Sequence, residues 1–266
     1  MTDFPLAAPP PDALVQTFTA HSFDVDLSRR LSPIALLRYL QEAAWNHAEQ
    51  LGVGFGQLGA KKLLWVLSRQ RIRMAAFPEW GTAFSIATWP AGRDRRYAYR
   101  DFLIRDPDGA LLGSATTAWF AIDFDSRRPV RPDIYFTVPT PGPEWRADSE
   151  PLEKLEGPGD CSPDRTVTVY STDLDVNGHV NHVRYLEWML SVRDPGRIPL
   201  EYPARIELNY LAECHPGDRL ELRRQDDGGA WRMNLRREGD GKPVCVGNVT
   251  WRENNGTNVA EDRFPD

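Results

Sequence analysis

The sequence is poor in cysteine and lysine and has no long apolar run. Its three cysteines, Cys161, Cys214 and Cys245, are widely spaced and form no C-x-x-C pair, which excludes a disulfide framework and a zinc ribbon and indicates a reducing compartment. No stretch approaches the ~18 apolar residues of a membrane helix. The first residues show neither the basic nor the apolar region of a signal peptide. We therefore expect a cytoplasmic protein without a membrane span.

The overall charge is acidic. The 266 residues carry 32 Lys+Arg against 38 Asp+Glu, a net charge of −6 at pH 7. Such a chain has no general attraction to phosphate backbones, so nucleic-acid binding is not expected. Most of the cations are arginines, which can still bind an acidic partner at a local patch through bidentate contacts. The candidate patches are Arg93/Arg95/Arg96, Arg127/Arg128, Arg223/Arg224 and Arg236/Arg237.

The composition and the proline spacing predict a folded chain in two halves. A hydrophobic content of 41% with 11% aromatic residues is enough for a core. Residues 138–163 concentrate proline, glycine and charge, which predicts a linker. The predicted organisation is an N-terminal unit over 12–137, a C-terminal unit over 164–252 and a polar tail over 253–266.

Both halves have the same predicted order of elements. In the first half Ser32-Pro33 is a helix start, and apolar residues recur at helical spacing as far as Leu51-Gly52. In the second half the helix is predicted from Val180 to Leu190. Strand patterns separated by turn residues lie at 15–19, 63–74, 82–89, 96–105, 111–122, 167–170, 204–210, 219–224, 231–237 and 244–251. We predict an α+β fold in which each unit is one long helix wrapped by a curved antiparallel sheet.

Familiar enzyme motifs are absent or misplaced. The segment Gly54-Phe-Gly-Gln-Leu-Gly59 fits G-x-G-x-x-G, but it follows a predicted helix and precedes a strand, the reverse of the dinucleotide-binding order. We interpret it as a structural loop. The sequence contains neither G-x-S-x-G nor G-x-x-x-x-G-K-[ST], so an α/β-hydrolase and a P-loop enzyme lose their main support.

Polar residues cluster before the second predicted helix. Asp175, Asn177 and His179 occupy every second position, so in an extended turn their side chains would project to one side. Beside the free N–H groups of a helix start, such groups suit the activation of water and the stabilisation of an oxyanion. Ordinary turn, cap or packing roles remain open at this point. A metal site formed by Asp175, His179 and His182 has ligand types that suit zinc, but no further Cys/His cluster supports it and none is predicted.

The stretch from Leu174 to Trp188 resembles the L-D-x-N-x-H-V-N signature of the acyl-acyl carrier protein (acyl-ACP) thioesterases, including its downstream Tyr and Trp. The resemblance covers about residues 15–251. Further matching segments are 41–43, 47–52, 64–69, 88–90, Trp119 and Tyr210 with Glu213-Cys214.

The resemblance implies a tandem hotdog fold and hydrolysis of fatty acyl thioesters, which terminates fatty acid biosynthesis. It implies catalytic roles for Asp175, Asn177, His179 and Glu213, with either carboxylate as base or nucleophile, and no cofactor. Cys214 lies where plant members carry a cysteine once regarded as a nucleophile. The implied partner is the acidic acyl carrier protein, and the short proline-rich start resembles a bacterial member.

Two other functions remain open on the sequence. One is an acyl-CoA thioesterase of the hotdog superfamily, and the other is a non-catalytic acyl-binding hotdog protein; a hotdog dehydratase is less favoured. The first half has Arg29, Leu31 and Pro33 near the positions of the second half's polar cluster, which predicts one active centre per chain and a substrate-shaping role for the first half. Monomer and dimer are both compatible with the sequence.

Overall fold

The computed structural model describes residues 8–254, so the predicted lead-in before residue 8 and most of the predicted tail lie outside the described residues. The helices are α1 Pro33–Gln50, α2 Phe55–Ala60, α3 Pro132–Tyr135 and α4 His182–Leu190. The strands are β1 Leu14–Thr19, β2 Leu63–Met74, β3 Ala83–Arg93, β4 Ala98–Arg105, β5 Leu111–Asp123, β6 Pro129–Val130, β7 Arg165–Thr168, β8 Glu201–Tyr210, β9 Arg219–Asp226, β10 Ala230–Arg237 and β11 Pro243–Glu253.

All the strands belong to one antiparallel sheet. Its order is β1-β3-β4-β5-β2-β8-β11-β10-β9-β7, with β6 paired to β5. The two halves of the chain meet where β2 pairs with β8, with Ile72 opposite Ile206. The predicted helix-plus-sheet plan in each half is therefore confirmed, and the two sheets join edge to edge.

Helix α1 begins and ends as the sequence predicts. The Ser32 side chain accepts a hydrogen bond from the Ala35 N–H, and Pro33 occupies the first helical position, which suits its missing N–H. A capping side chain of this kind stabilises a helix by about 1 kcal/mol. The chain leaves the helix through Gly52, whose φ is +69°. The apolar face of α1 lies against the sheet in the main core.

Helix α4 is shorter than the prediction of one long helix per unit. It spans nine residues, against 18 for α1. Asn181 caps it by accepting the Val183 N–H, while Val180 pairs with Leu174 in an isolated bridge. The predicted start at Val180 is therefore wrong. At residues 8–254 no helix is both long and apolar enough to cross a membrane.

The glycine-rich segment after α1 is a helix, so its interpretation as a loop was wrong. Gly54 is the N-cap of α2, and the Glu49 carboxylate accepts the Phe55 N–H at 2.8 Å. Leu58, within this helix, is buried. A side chain from α1 and the burial of a leucine thus outweigh the poor helix propensity of glycine.

The segment between the halves packs along the face of the sheet opposite the helices. The Arg71 side chain is only 4% exposed, and it contacts the carboxylates of Asp148 and Glu207 at 3.1 and 2.9 Å. It also donates to the carbonyl of Pro151 at 2.8 Å. Further along, the Leu155 N–H donates to the Asn209 side chain. The boundaries 12–137, 138–163 and 164–252 stay a prediction, but this segment is anchored on the seam of β2 and β8.

Candidate active site

A cavity of about 460 Å³ lies between the two halves. Helix α1 contributes Ala44 and Ala48, and the end of β8 contributes Tyr210. Most of the remaining wall is apolar and comes from the first half, including Leu51, Val53, Leu58, Leu63, Leu64, Val66, Leu67, Trp119, Phe120 and Phe136. Such a space fits a flexible apolar group whose polar end faces the second half.

The loop before α4 closes on itself. The Asp175 N–H donates to the His179 carbonyl at 2.8 Å, and the Asp175 carboxylate oxygen Oδ1 accepts the Asn177 N–H at 2.8 Å. Gly178 has a φ of +73°, which glycine adopts without strain. The extended turn considered from the sequence is therefore wrong. The closed loop nevertheless directs Asp175, Asn177 and His179 to the wall of the cavity.

Glu213 completes the group of four predicted residues. It follows β8 and lines the same cavity, with its Oε2 atom 3.8 Å from Nε2 of His179. Its other carboxylate oxygen accepts a hydrogen bond from Arg127, which comes from the turn between β5 and β6. The sequence did not single out Arg127 for this contact, since it lies 86 positions away from Glu213.

An ion pair with a buried aspartate fixes the loop to α4. Asp173 is 3% exposed, and its carboxylate accepts from the Arg184 guanidinium and from the Tyr170 N–H. The Asn181 side chain also approaches Gln41 of α1, 3.3 Å from Nδ2 to Oε1. Gln41 lines the cavity. The loop is thus held by groups that do not themselves carry the predicted chemistry.

The first half contains the same closed loop. The Asp26 N–H donates to the Arg30 carbonyl, and the Asp26 side chain accepts the Ser28 N–H at 2.8 Å. Arg29 has a φ of 57°, in place of the glycine of the second loop. Val25 and Leu31 form the matching bridge. The structural equivalences are Asp26 with Asp175, Ser28 with Asn177 and Arg30 with His179. The sequence comparison that set Arg29, Leu31 and Pro33 against the polar cluster was therefore out of register.

The first half has no counterpart of the glutamate. The Ala75 and Ala76 N–H groups both donate to the Leu112 carbonyl, just as those of Leu211 and Ala212 donate to Val244. The next residue is Phe77 in the first half and Glu213 in the second. The space beside Phe77 and Asp26 is only about 10 Å³, and burial raises the pKa of Asp26. The loop is duplicated, whereas the acid and the cavity belong to one copy.

Two buried histidines near the cavity, His182 and His47, are held neutral. Burial lowers the pKa of His182 to about 4, and its ring edge contacts Tyr210. Burial and then Arg100 lower the pKa of His47 to about 4. Nδ1 of His47 accepts from Arg100 at 3.1 Å, because a guanidinium can only donate. Among residues 8–254, no group of three or more His, Cys, Asp or Glu side chains is arranged to hold a metal ion.

Cys214 is packed inside the second half. Its exposure is 0%, and burial is the main cause of its raised pKa, with Tyr185 as a hydrogen-bonding neighbour. It does not line the cavity that holds Glu213. A buried neutral thiol is a poor nucleophile. This environment favours the packing role over the nucleophilic one.

Comparison with known proteins places the fold in a family. The model of the acyl-ACP thioesterase N-terminal domain matches residues 11–136, and that of the C-terminal domain matches residues 160–253. An acyl-ACP thioesterase structure from Bacteroides thetaiotaomicron superposes with a TM-score of 0.80 at 27% identity, covering 90% of this chain and 98% of that one. The 12:0-ACP thioesterase of Umbellularia californica gives 0.80 at 26% identity, with 91% and 98% covered.

A curated relative shows the same relationship in sequence. The chloroplastic palmitoyl-ACP thioesterase of Cuphea hookeriana is 30% identical in an alignment 265 residues long, which covers 92% of this chain and 64% of that protein. The chain thus spans slightly less than two thirds of this relative. The duplicated helix and sheet are those of a tandem hotdog, as expected. The chain belongs to the acyl-ACP thioesterase family.

Proposed function

We propose that this protein hydrolyses fatty acyl thioesters of acyl carrier protein and thereby ends fatty acid synthesis. The observation that supports this most is the meeting of two kinds of surface in one cavity. Asp175, Asn177, His179 and Glu213 line one side of it, and apolar groups from the first half line most of the rest. An acyl chain suits the apolar part, and its thioester then lies beside the polar groups.

In the proposed mechanism Glu213 and His179 activate water. Their side chains are 3.8 Å apart, a separation that one water molecule can bridge. The water loses a proton to this pair and attacks the thioester carbonyl carbon. Collapse of the tetrahedral intermediate then breaks the C–S bond, and the proton passes to the leaving thiolate, which gives the free acid and the thiol. General base catalysis of this kind contributes about 10²- to 10⁴-fold to the rate.

The loop supplies orientation and charge stabilisation. Asn177 is exposed to the site, and its amide can donate to the thioester carbonyl. Of the amides at the start of α4, those of Asn181, Val183 and Arg184 are already hydrogen-bonded. We therefore propose the N–H groups of Val180 and His182 as donors to the oxyanion. Asp175 holds the loop through Oδ1, and we propose that its other oxygen acts with Glu213 and His179 as part of the base that takes the proton from water.

Only some of the arginine patches are available to an acidic carrier. Arg223 and Arg224 pair with acidic side chains of the second half. Arg237 contacts Asp218 and Asp240. The hairpin between β3 and β4 differs, because Arg95 and Arg96 are exposed there and Arg93 lines the cavity. We propose this hairpin as the docking site for the carrier.

Replacing Arg95 and Arg96 together with glutamate should weaken carrier docking. We expect KM for an acyl-carrier thioester to rise about tenfold or more, since like charges then face each other, with unchanged turnover of a small acyl thioester. The rates on the acyl-carrier thioester and on the small acyl thioester, each measured at 50 and 200 mM salt, give the size of the effect on KM. Arg252→Glu is the control, because Arg252 is exposed and lies opposite Tyr202 in the sheet, near the start of β8 and about 26 Å along that strand from the cavity residue Tyr210. An equal rise of KM in the control would contradict the proposal.

The function is tested by release of thiol from matched acyl-carrier and acyl-CoA thioesters over a range of chain lengths. We expect hydrolysis of both, with higher kcat/KM on the carrier. Preference for CoA would make the protein an acyl-CoA thioesterase. Saturable binding without thiol release would make it an acyl-binding protein. A cytoplasmic location stays a prediction.

A further inference from the structure

The active centre has a contributor from the other half of the molecule. We infer that Arg127 is a positioning residue that holds the Glu213 carboxylate in the orientation needed to act with His179. This inference rests on the proposed function and goes beyond it, because the four proposed catalytic residues all belong to the second half.

The contacts of Glu213 are divided between its two carboxylate oxygens. Oε1 accepts from the Arg127 guanidinium, and Oε2 faces Nε2 of His179 at 3.8 Å. The main-chain carbonyl of Glu213 accepts from Arg237. With the backbone and one oxygen held, the second oxygen has a fixed direction. Misplacement of a reacting group by about 1 Å can cost about 10²-fold in rate, so this restraint matters.

The turn that carries Arg127 is built to hold it. The Asp123 side chain accepts from both the N–H and the hydroxyl of Ser126, at 2.8 and 2.7 Å. The Asp123 carbonyl accepts the Arg127 N–H, and the Asp123 N–H donates to Arg128. Arg127 itself has a φ of 55°, a left-handed conformation that costs energy in any residue with a Cβ. The surrounding bonds maintain this conformation, and it directs the side chain across to Glu213.

The position of the pair favours a role in catalysis over one in stability. The side chains of Arg127 and Glu213 are 40% and 36% exposed, and ion pairs that exposed contribute little to folding. The neighbouring Arg128 is also exposed, but the hydrogen bond to Glu213 comes from Arg127 and not from Arg128. Two adjacent cations thus share the same turn, and one of them contacts the proposed catalytic acid.

The test compares Arg127→Gly with Arg128→Gln on a small acyl thioester, so that carrier docking plays no part. Glycine at position 127 removes the guanidinium and accepts the left-handed conformation, so the fold should be kept. We expect kcat to fall about 10- to 100-fold in Arg127→Gly with nearly unchanged KM. In Arg128→Gln we expect kcat within about twofold of wild type. Arg127→Lys, which keeps the charge, should recover part of the loss.

A double variant separates positioning from a general charge effect. If Arg127 acts through Glu213, then Arg127→Gly should cost almost nothing further in a Glu213→Gln background. Wild-type kcat in Arg127→Gly, an equal loss in Arg128→Gln, or fully additive losses in the double variant would each overturn the inference. These outcomes are distinct from failure of the proposed function, in which the wild-type protein itself would release no thiol.

Discussion

Replacing Asp175 with asparagine should abolish nearly all hydrolysis and leave the fold intact. The Oδ1 atom of Asp175 accepts the N–H groups of Asn177 and His179, and an asparagine oxygen can accept the same bonds. The loop should therefore keep its shape while losing the carboxylate that we propose as part of the base. We expect kcat to fall about 10²-fold or more, in line with the loss of an acid or base group. Thiol release and the melting temperature measure the two effects separately.

The duplicated loop offers a matched control for this variant. Asp26 makes the same backbone contacts in the first half, but it lies beside Phe77 instead of a glutamate. Asp26→Asn should thus leave kcat within about twofold of wild type, because surface and loop changes away from the chemistry act mainly on stability. Wild-type turnover in Asp175→Asn, or equal losses in the two variants, would contradict the assignment of Asp175.

Filling the cavity from α1 should shorten the preferred acyl chain. Ala48 lines the cavity, so Ala48→Phe places a ring where we propose that the distal methylenes lie. Each methylene that loses its burial forfeits about 0.8 kcal/mol, roughly a fourfold loss in kcat/KM. Displacing two or three of them should reduce kcat/KM for the longest substrates by about 15- to 60-fold, while short substrates keep their rates. Measuring kcat/KM over a series of acyl-chain lengths with the wild type and Ala48→Phe gives this reduction.

Glu42 provides the control for the cavity variant. It lies on the exposed face of α1 and does not line the cavity, so Glu42→Phe adds the same ring to the same helix without filling the space. Its chain-length profile should match that of the wild type. An unchanged profile in Ala48→Phe would show that the acyl chain takes another path.

The sequence predicted elements whose signals are local. Ser32, Pro33 and the spacing of apolar residues define α1 without help from the rest of the chain. Helix α2 could not be predicted in this way, because its stability depends on the Glu49 side chain and on burial of Leu58. Alternation and turn residues predicted most of the strands, but the pairing of β2 with β8 unites distant parts of the chain.

The same distinction applies to the site. The spacing of Asp175, Asn177 and His179 indicated a polar cluster, although their loop is closed by Gly178 and is not extended. Glu213 was predicted as a site residue only from the family resemblance, because nothing in its local sequence links it to His179. Arg127 had no such signal, because its contact with Glu213 depends on how the two halves meet.

The central claim is that hydrolysis depends on an acid present in one copy of the duplicated unit and missing from the other. The most direct measurement is kcat for one acyl-carrier thioester with wild type, Glu213→Gln and Phe77→Leu, which change equivalent positions of the two halves. We predict a loss of about 10²-fold or more in Glu213→Gln and wild-type turnover in Phe77→Leu. Full activity in Glu213→Gln would contradict the account.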